Sequence, residues 1–468
     1  MSIRKLTRQL LIAVVLLGGA ASATADSLPL TGAVFVMTSS TDPTRGNEVA
    51  MYRRDRRGDL TFVGRFPTGD VERTGPELGA GPAPTSVVLG VLVPATLDPH
   101  GSQESLILSE DRRCVLVVNA GSDSITSFRI LPGGLARASI VDSRGTGAAT
   151  FPVSLAQSGR TVYVLNAGGV GSLVGFRLGR DCELRELPLS TRTLEGVADS
   201  FLIPAPVEVL TAPAQVSFSP DGSRLIVSVK GGDAPVEPAG LLPNGRVAVY
   251  PVTRTGRLAQ PTITPFSSVE SRGGPFGFTF VSRETLVITH GNSQTIGSYR
   301  LNDDNSLTLI SGPFPTGALA PCWLDTRGDE LIVASIGDVP LVGASPDGNG
   351  MLDVFRIRRD GTMLDLGFRT EYPDPGPGRS GNHAIDIRVI GDFLYFVQPR
   401  TGEIGRLTIR RDGSLGDLAS FGGLEESPEP FAGFNPGIES FLTRCFLQDP
   451  TSRSPECLLG SAQGVVGF

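Results

Sequence analysis

This 468-residue chain has almost no helical periodicity, and Gly437–Leu447 is the one short stretch that fits a helix. It has no basic excess. Lys and Arg total 41 against 48 Asp and Glu, a net charge of −7, which argues against a nucleic-acid partner that would need a basic face. Like charges never run together long enough to make a solvated tail. No G-x-S-x-G elbow, P-loop, Cys/His metal spacing or EF-hand loop occurs, so neither a cofactor nor a metal is expected. Asn302–Asn305 and Asp347–Gly350 hold oxygen ligands, but they read as turns, where Asp and Asn are ordinary. Histidine is scarce at three residues, so imidazole acid–base chemistry is confined to His100, His290 and His383. His100 lies in a polar insertion and reads as solvated.

Long apolar runs are missing too, apart from Leu10–Leu17. That run follows Arg4, Lys5 and Arg8 and precedes Ala23-Thr24-Ala25, the pattern of an export signal over residues 1–25. The expectation is a protein carried to the periplasm or the medium, with no membrane attachment after cleavage. Five cysteines would then sit where disulfides persist. Cys445 and Cys457 flank a short loop and are the expected bridge. Cys114 opens a strand and Cys182 takes the Gly position of a turn, which leaves room for a second bridge. Cys322, beside Trp323, reads as a small buried hydrophobe.

A repeat fills the rest of the chain. Seven strands of alternating pattern, from Val49–Tyr52 to Ile404–Leu407, recur at roughly fifty-residue spacing and end in aromatic or bulky residues. Each follows a more continuously apolar strand, as expected where both faces are covered. Gly 59 and Pro 36 suit the many tight turns required, such as Arg359-Asp360-Gly361 and Arg411-Asp412-Gly413. Four strands per unit, a to d from the axis outward, make residues 26–468 one all-β domain, a seven-bladed β-propeller. The first unit lacks its own strand a, and Ala462–Phe468 has the pattern to supply it. That pairing would close the ring between the chain's two ends and remove an exposed edge. A monomer is expected.

The meander sorts the loops by face. Turns a–b and c–d are tight, whereas the long insertions Asp70–Glu104, Ser190–Pro213, Lys230–Asn244, Ile336–Asn349 and Phe421–Ser461 are all b–c or d–a. One elaborated face on a rigid scaffold is where binding and catalysis concentrate. The b strands end on that face at Thr38, Asn119, Asn166, Val229, His290, Ser335 and Gln398. Six of the seven are polar. They form either a ring of hydrogen-bonding groups at the mouth of an axial pocket or a set of strand-end caps.

The segments Val117–Ile125, Tyr163–Gly169, Pro213–Gly222, Gly274–Phe278 and Pro321–Leu324, with the terminal Ala462–Val465, resemble the seven-bladed lactonase propellers. These are the 6-phosphogluconolactonase-like and 3-carboxymuconate-cyclase-like proteins, with YVTN-type repeats. The likeness covers essentially the whole mature chain. It implies hydrolysis of a small anionic lactone, or another unknown ligand, by a base acting on water and a donor at the developing oxyanion. His290 and His383 are the residues that could serve as base. Arg272 and Arg379 could clamp a carboxylate, with Asn119, Asn166, Gln398 and Ser335 lining the mouth; Glu270 and Lys230 are further candidates. Such relatives often carry Glu where Val229 and His290 stand. The other reading is a non-catalytic propeller that binds a protein or carbohydrate partner through its looped face.

Overall fold

The computed structural model describes residues 32–40, 42–70, 75–79, 85–88, 91–94, 100–194, 211–231, 244–267, 270–337, 350–372, 384–398, 401–424 and 463–468. The interiors of the long insertions, the Gly437–Leu447 segment and the Cys445/Cys457 pair lie outside the described residues. Seven antiparallel meanders surround one axis, as the repeats require. Among the described residues there is no α-helix, only one 3₁₀ turn at Ala120–Ser122.

Strands b are buried end to end, as in Ala33–Met37 and Cys114–Asn119. Their Val, Ile and Leu side chains pack on both faces against neighbouring blades. Blades are also tied by polar contacts to the c–d turns. Tyr163 donates to the Gly256 carbonyl at 2.9 Å and Tyr395 to that of Gly58 at 2.7 Å. Gly58 and Gly256 have φ of 81° and 85°, which side-chain-bearing residues rarely adopt. Two outer strands depart from expectation. In blade three, strand d is broken into Leu184–Glu186 and Arg192–Thr193. In blade four it begins at Thr262, because Leu258 forms only a bridge to Val252.

Closure is as expected. Gln463–Gly467 pairs antiparallel with Ala33–Met37, with Val34 opposite Gly467 and Val36 opposite Val465. A bridge links Cys114 of blade two to Cys182 in the c–d turn of blade three, 68 residues apart in sequence. Cys322 is buried with a free thiol.

The axis is where the sequence reading needs correction. Strand a of each blade has a hydrogen-bonding partner on one edge only, so its inner edge carries unpaired N–H groups. A repeated girdle meets these donors. Leu155 N–H bonds the Glu104 carbonyl, Val216 N–H bonds Ser154 Oγ at 3.1 Å, and Phe278 N–H bonds Gln215 Oε1 at 2.6 Å. Each acceptor comes from the preceding blade. Blade five has Gly277 at this position and no side chain to offer. Gln103 fills the gap from the far side of the ring: its amide brackets Leu324, donating to the carbonyl at 3.1 Å and accepting from the N–H at 3.4 Å. A Cβ on residue 277 would collide with Gln103 Oε1 and the Cys322 carbonyl.

The segment around Gln103 is a strap through the hub. His100 Nε2 meets the Gly79 carbonyl at 2.8 Å, Lys230 Nζ donates to the Gly101 carbonyl, Trp323 Nε1 donates to Ser102 O at 3.0 Å and Ser102 Oγ bonds Val153 O at 2.8 Å. His100 is therefore buried at 2% exposure rather than solvated, because the insertion carrying it turns inward.

Two stability outcomes follow from these contacts. Gln103→Ala strands both main-chain groups of Leu324 in a buried site, which costs about 2 kcal/mol, visible as a lower urea midpoint at unchanged m-value. Cys182→Ser releases a long loop in the unfolded chain and costs roughly 2–4 kcal/mol; non-reduced peptide mapping of the wild type should recover the Cys114–Cys182 pair.

Candidate functional site

The expected mouth ring is not axial. Asn119 is fully buried, accepts from Asn47 Nδ2 at 2.9 Å and donates to Ser124 Oγ and Thr126 Oγ1. Asn166 donates to Ser143 O and Ser172 Oγ. Gln398 accepts from Ser420 Oγ at 3.1 Å, and Ser335 is fully buried in its blade. Asn119, Asn166 and Gln398 bond groups on strands and loops outside the hub and so cap strand ends, whereas Ser335 Oγ has no partner among the described residues. The reason is topological: strand a, not strand b, lines the axis.

His290 belongs to the same class. It is fully buried, with Nδ1 2.8 Å from Thr295 Oγ1 and Nε2 2.9 Å from the Tyr299 hydroxyl. Thr295 Oγ1 donates onward to Ser271 O, so Thr295 accepts from Nδ1–H and Nε2 accepts from Tyr299. Burial, then the nearby Arg272 charge, lowers the His290 pKa to about 3. Both nitrogens of this neutral ring are engaged, and none is left for a water. Arg272 does come close: its guanidinium sits 5.7 Å from the Phe266 ring centre and pairs with Glu270. Phe266 in turn packs on His290. Lys230 Nζ lies 4.8 Å from the Phe276 ring centre. His383 and Arg379 lie outside the described residues.

The axis opens instead below the strap, toward the a–b turns. A polar cavity of about 200 Å³ is lined by Gln103, Glu104, Ser217, Thr279, Asp325 and Arg388, with Phe218, Phe278 and Phe280 as apolar wall. Three charges meet there. Arg388 Nη2 is 3.0 Å from Glu104 Oε1, and Nη1 is 3.7 Å from Asp325 Oδ2. Asp325 also accepts from the N–H of Val389 and of Thr326, each at 2.8 Å. Burial pushes the Asp325 carboxyl above its ordinary range, with Arg388 and the two N–H donors pulling the other way. Burial opposes the Arg388 charge, but Glu104 and Asp325 more than offset it and raise its pKa. Arg388 Nε has no partner among the described residues.

A cavity holding a raised carboxyl beside a guanidinium is the usual signature of a site. None of Gln103, Glu104, Asp325 and Arg388 stood out in the sequence reading. The available signal was a charge interrupting an innermost strand, as in Ile385–Ile390 and Pro321–Arg327.

His290 also generates a pH prediction. An unfolded histidine protonates near 6.5, whereas the folded one resists until about 3. Its contribution to stability is present above pH 6.5 and falls by up to ~1.4 kcal/mol per unit as pH drops toward 3. Asp123, Asp325 and Asp353 have raised carboxyls and act with the opposite sign, so the difference between proteins is the readout. Thermal melts between pH 7 and 4 should show a shallower acid slope in His290→Gln than in wild type.

No protein-family model matches the chain, and no curated protein matches it either. Solved structures do. A candidate 6-phosphogluconolactonase of Bacteroides fragilis superposes with a TM-score of 0.55 at 15% identity, covering 85% of this chain and 99% of that one. The periplasmic gluconolactonase of Pseudomonas aeruginosa gives 0.54 at 17% identity, covering 84% and 96%. Identities this low establish a shared fold: this chain is built as the lactonase-like seven-bladed propellers are.

Proposed function

We propose that the protein is a lactonase-like propeller that hydrolyses a small, neutral, hydroxylated lactone in the hub cavity. The observation that carries this reading is the Asp325–Arg388–Glu104 cluster, with its raised carboxyl and its unpartnered Arg388 Nε. Two carboxylates against one guanidinium disfavour the anionic ring expected from the sequence. The three Phe side chains suit the C–H face of a sugar-like ring, and Ser217 and Thr279 offer hydroxyls to its polar rim.

In this reading Asp325 takes a proton from water, whose oxygen attacks the lactone carbonyl. Arg388 donates to the oxygen as negative charge develops there. The ring C–O bond then breaks, and Asp325 returns the proton to the leaving alkoxide. The product is a hydroxy-carboxylate, repelled by Glu104 and Asp325, which favours release. Export to an oxidising compartment is part of the proposal and is supported by the Cys114–Cys182 bridge. A second reading, a non-catalytic propeller binding a protein or carbohydrate partner, is favoured by the strap that fills the upper hub.

Purified protein would be assayed against a panel of γ- and δ-lactones. Asp325→Asn and Arg388→Gln should each lower kcat/KM by about 100-fold, while His290→Gln should leave it within a few-fold of wild type. An inert wild type, or an Asp325→Asn variant as active as its parent, would sink the hydrolase. Saturable lactone binding without turnover would select the binding reading.

A further inference from the structure

Blade three carries a second recess, lined by arginines, at the tight-turn face and outside the hub. It has a volume of about 360 Å³ and is lined by Arg160, Arg177, Gly179, Arg180, Asp181 and Arg185. Four guanidinium groups line it with the Asp181 carboxylate, and Glu183 pairs with one of the four, in a chain whose net charge is −7. Part of the arrangement is held in place by the fold. Arg177 and Arg185 stand directly opposite each other on strands c and d, a like-charge pairing that costs stability in a sheet. Arg177 is fixed by Thr161 Oγ1 and the Thr255 carbonyl, each at 2.7 Å. Arg160 Nε is held by the Leu178 carbonyl at 3.1 Å. Arg185 pairs with Glu183 at 3.0 Å, largely in solvent. Arg180 makes no hydrogen bond or ion pair among the described residues. The turn bearing it is anchored to blade two through Cys182.

We propose that this recess binds a phosphate-type oxyanion, at a site separate from the hub cavity and independent of the activity assigned there. Guanidinium groups stay charged at every physiological pH, and their planar forks match tetrahedral oxyanions bidentately. Arg177 supplies a held guanidinium at the floor, and Arg160, Arg180 and Arg185 supply exposed ones at the rim. Gly179 makes room for the Asp181 carboxylate to fold against the turn, since a Cβ there would strike it. That leaves the Arg180 head group as the mobile donor over a fixed floor.

Calorimetric titration of the full chain with inorganic pyrophosphate at low ionic strength tests this. The wild type should show one saturable site, weakened at least 10-fold in the Arg160→Gln/Arg180→Gln double variant. Arg180→Gln alone, at an exposed turn, keeps the test open should the double variant not fold. Arg358→Gln/Arg359→Gln removes the same charge from the corresponding turn of blade six and should bind as wild type does. A parallel titration with O-phosphoserine separates a phosphomonoester from a free inorganic ion. No saturable binding of either probe, or equal weakening in the blade-six control, would overturn the proposal.

Discussion

Innermost strands of a propeller converge with one edge unpaired, and this molecule is organised by how those inward N–H groups find acceptors. The girdle of Glu104, Ser154 and Gln215 does so blade by blade, each acceptor serving the next strand. Gly277 breaks the series, and the break is what admits Gln103 across the axis. One absent side chain thus couples blade two to blade six, 221 residues away in sequence. The strap, the burial of His100 and the contact between Lys230 and Gly101 all follow from that crossing.

The strap also decides where chemistry has room. Above Gln103 the hub is filled by main chain; below it, Glu104 reaches Arg388 and the cavity begins. Asp325 ties the innermost strands of blades six and seven together through Val389 N–H and faces the same space. The same few groups that bond the innermost strands to one another also line the candidate site. A carboxyl that both holds two strands and borders a guanidinium is fixed in place before any ligand arrives, which is what preorganised electrostatics needs.

Much of the fold was legible in the sequence, because a propeller repeats its evidence. Strands b announced themselves as apolar runs, turns as Asp-Gly pairs, and closure as a strand-like terminus with no partner of its own. The hub cavity was not legible, for a physical reason. Polar residues at strand ends, such as Asn119 and His290, look the same whether they face a ligand or satisfy a turn, and here they satisfy turns. The residues that do face the cavity come from a long insertion and from single charges inside apolar strands, so no local pattern joins them. The disulfide shows the same limit. In the sequence Cys114 and Cys182 suggest only a second bridge behind Cys445 and Cys457, because blade packing, which brings them together, is not encoded in spacing along the chain.

Residue-resolved hydrogen–deuterium exchange on the unmodified protein tests the central claim most directly. If Gln103 completes the girdle, the Leu324 amide is protected as strongly as those of Val216 and Phe278, although no strand pairs with that edge. A Leu324 amide that exchanges orders of magnitude faster than the other two would mean the hub is open and the strap lies elsewhere.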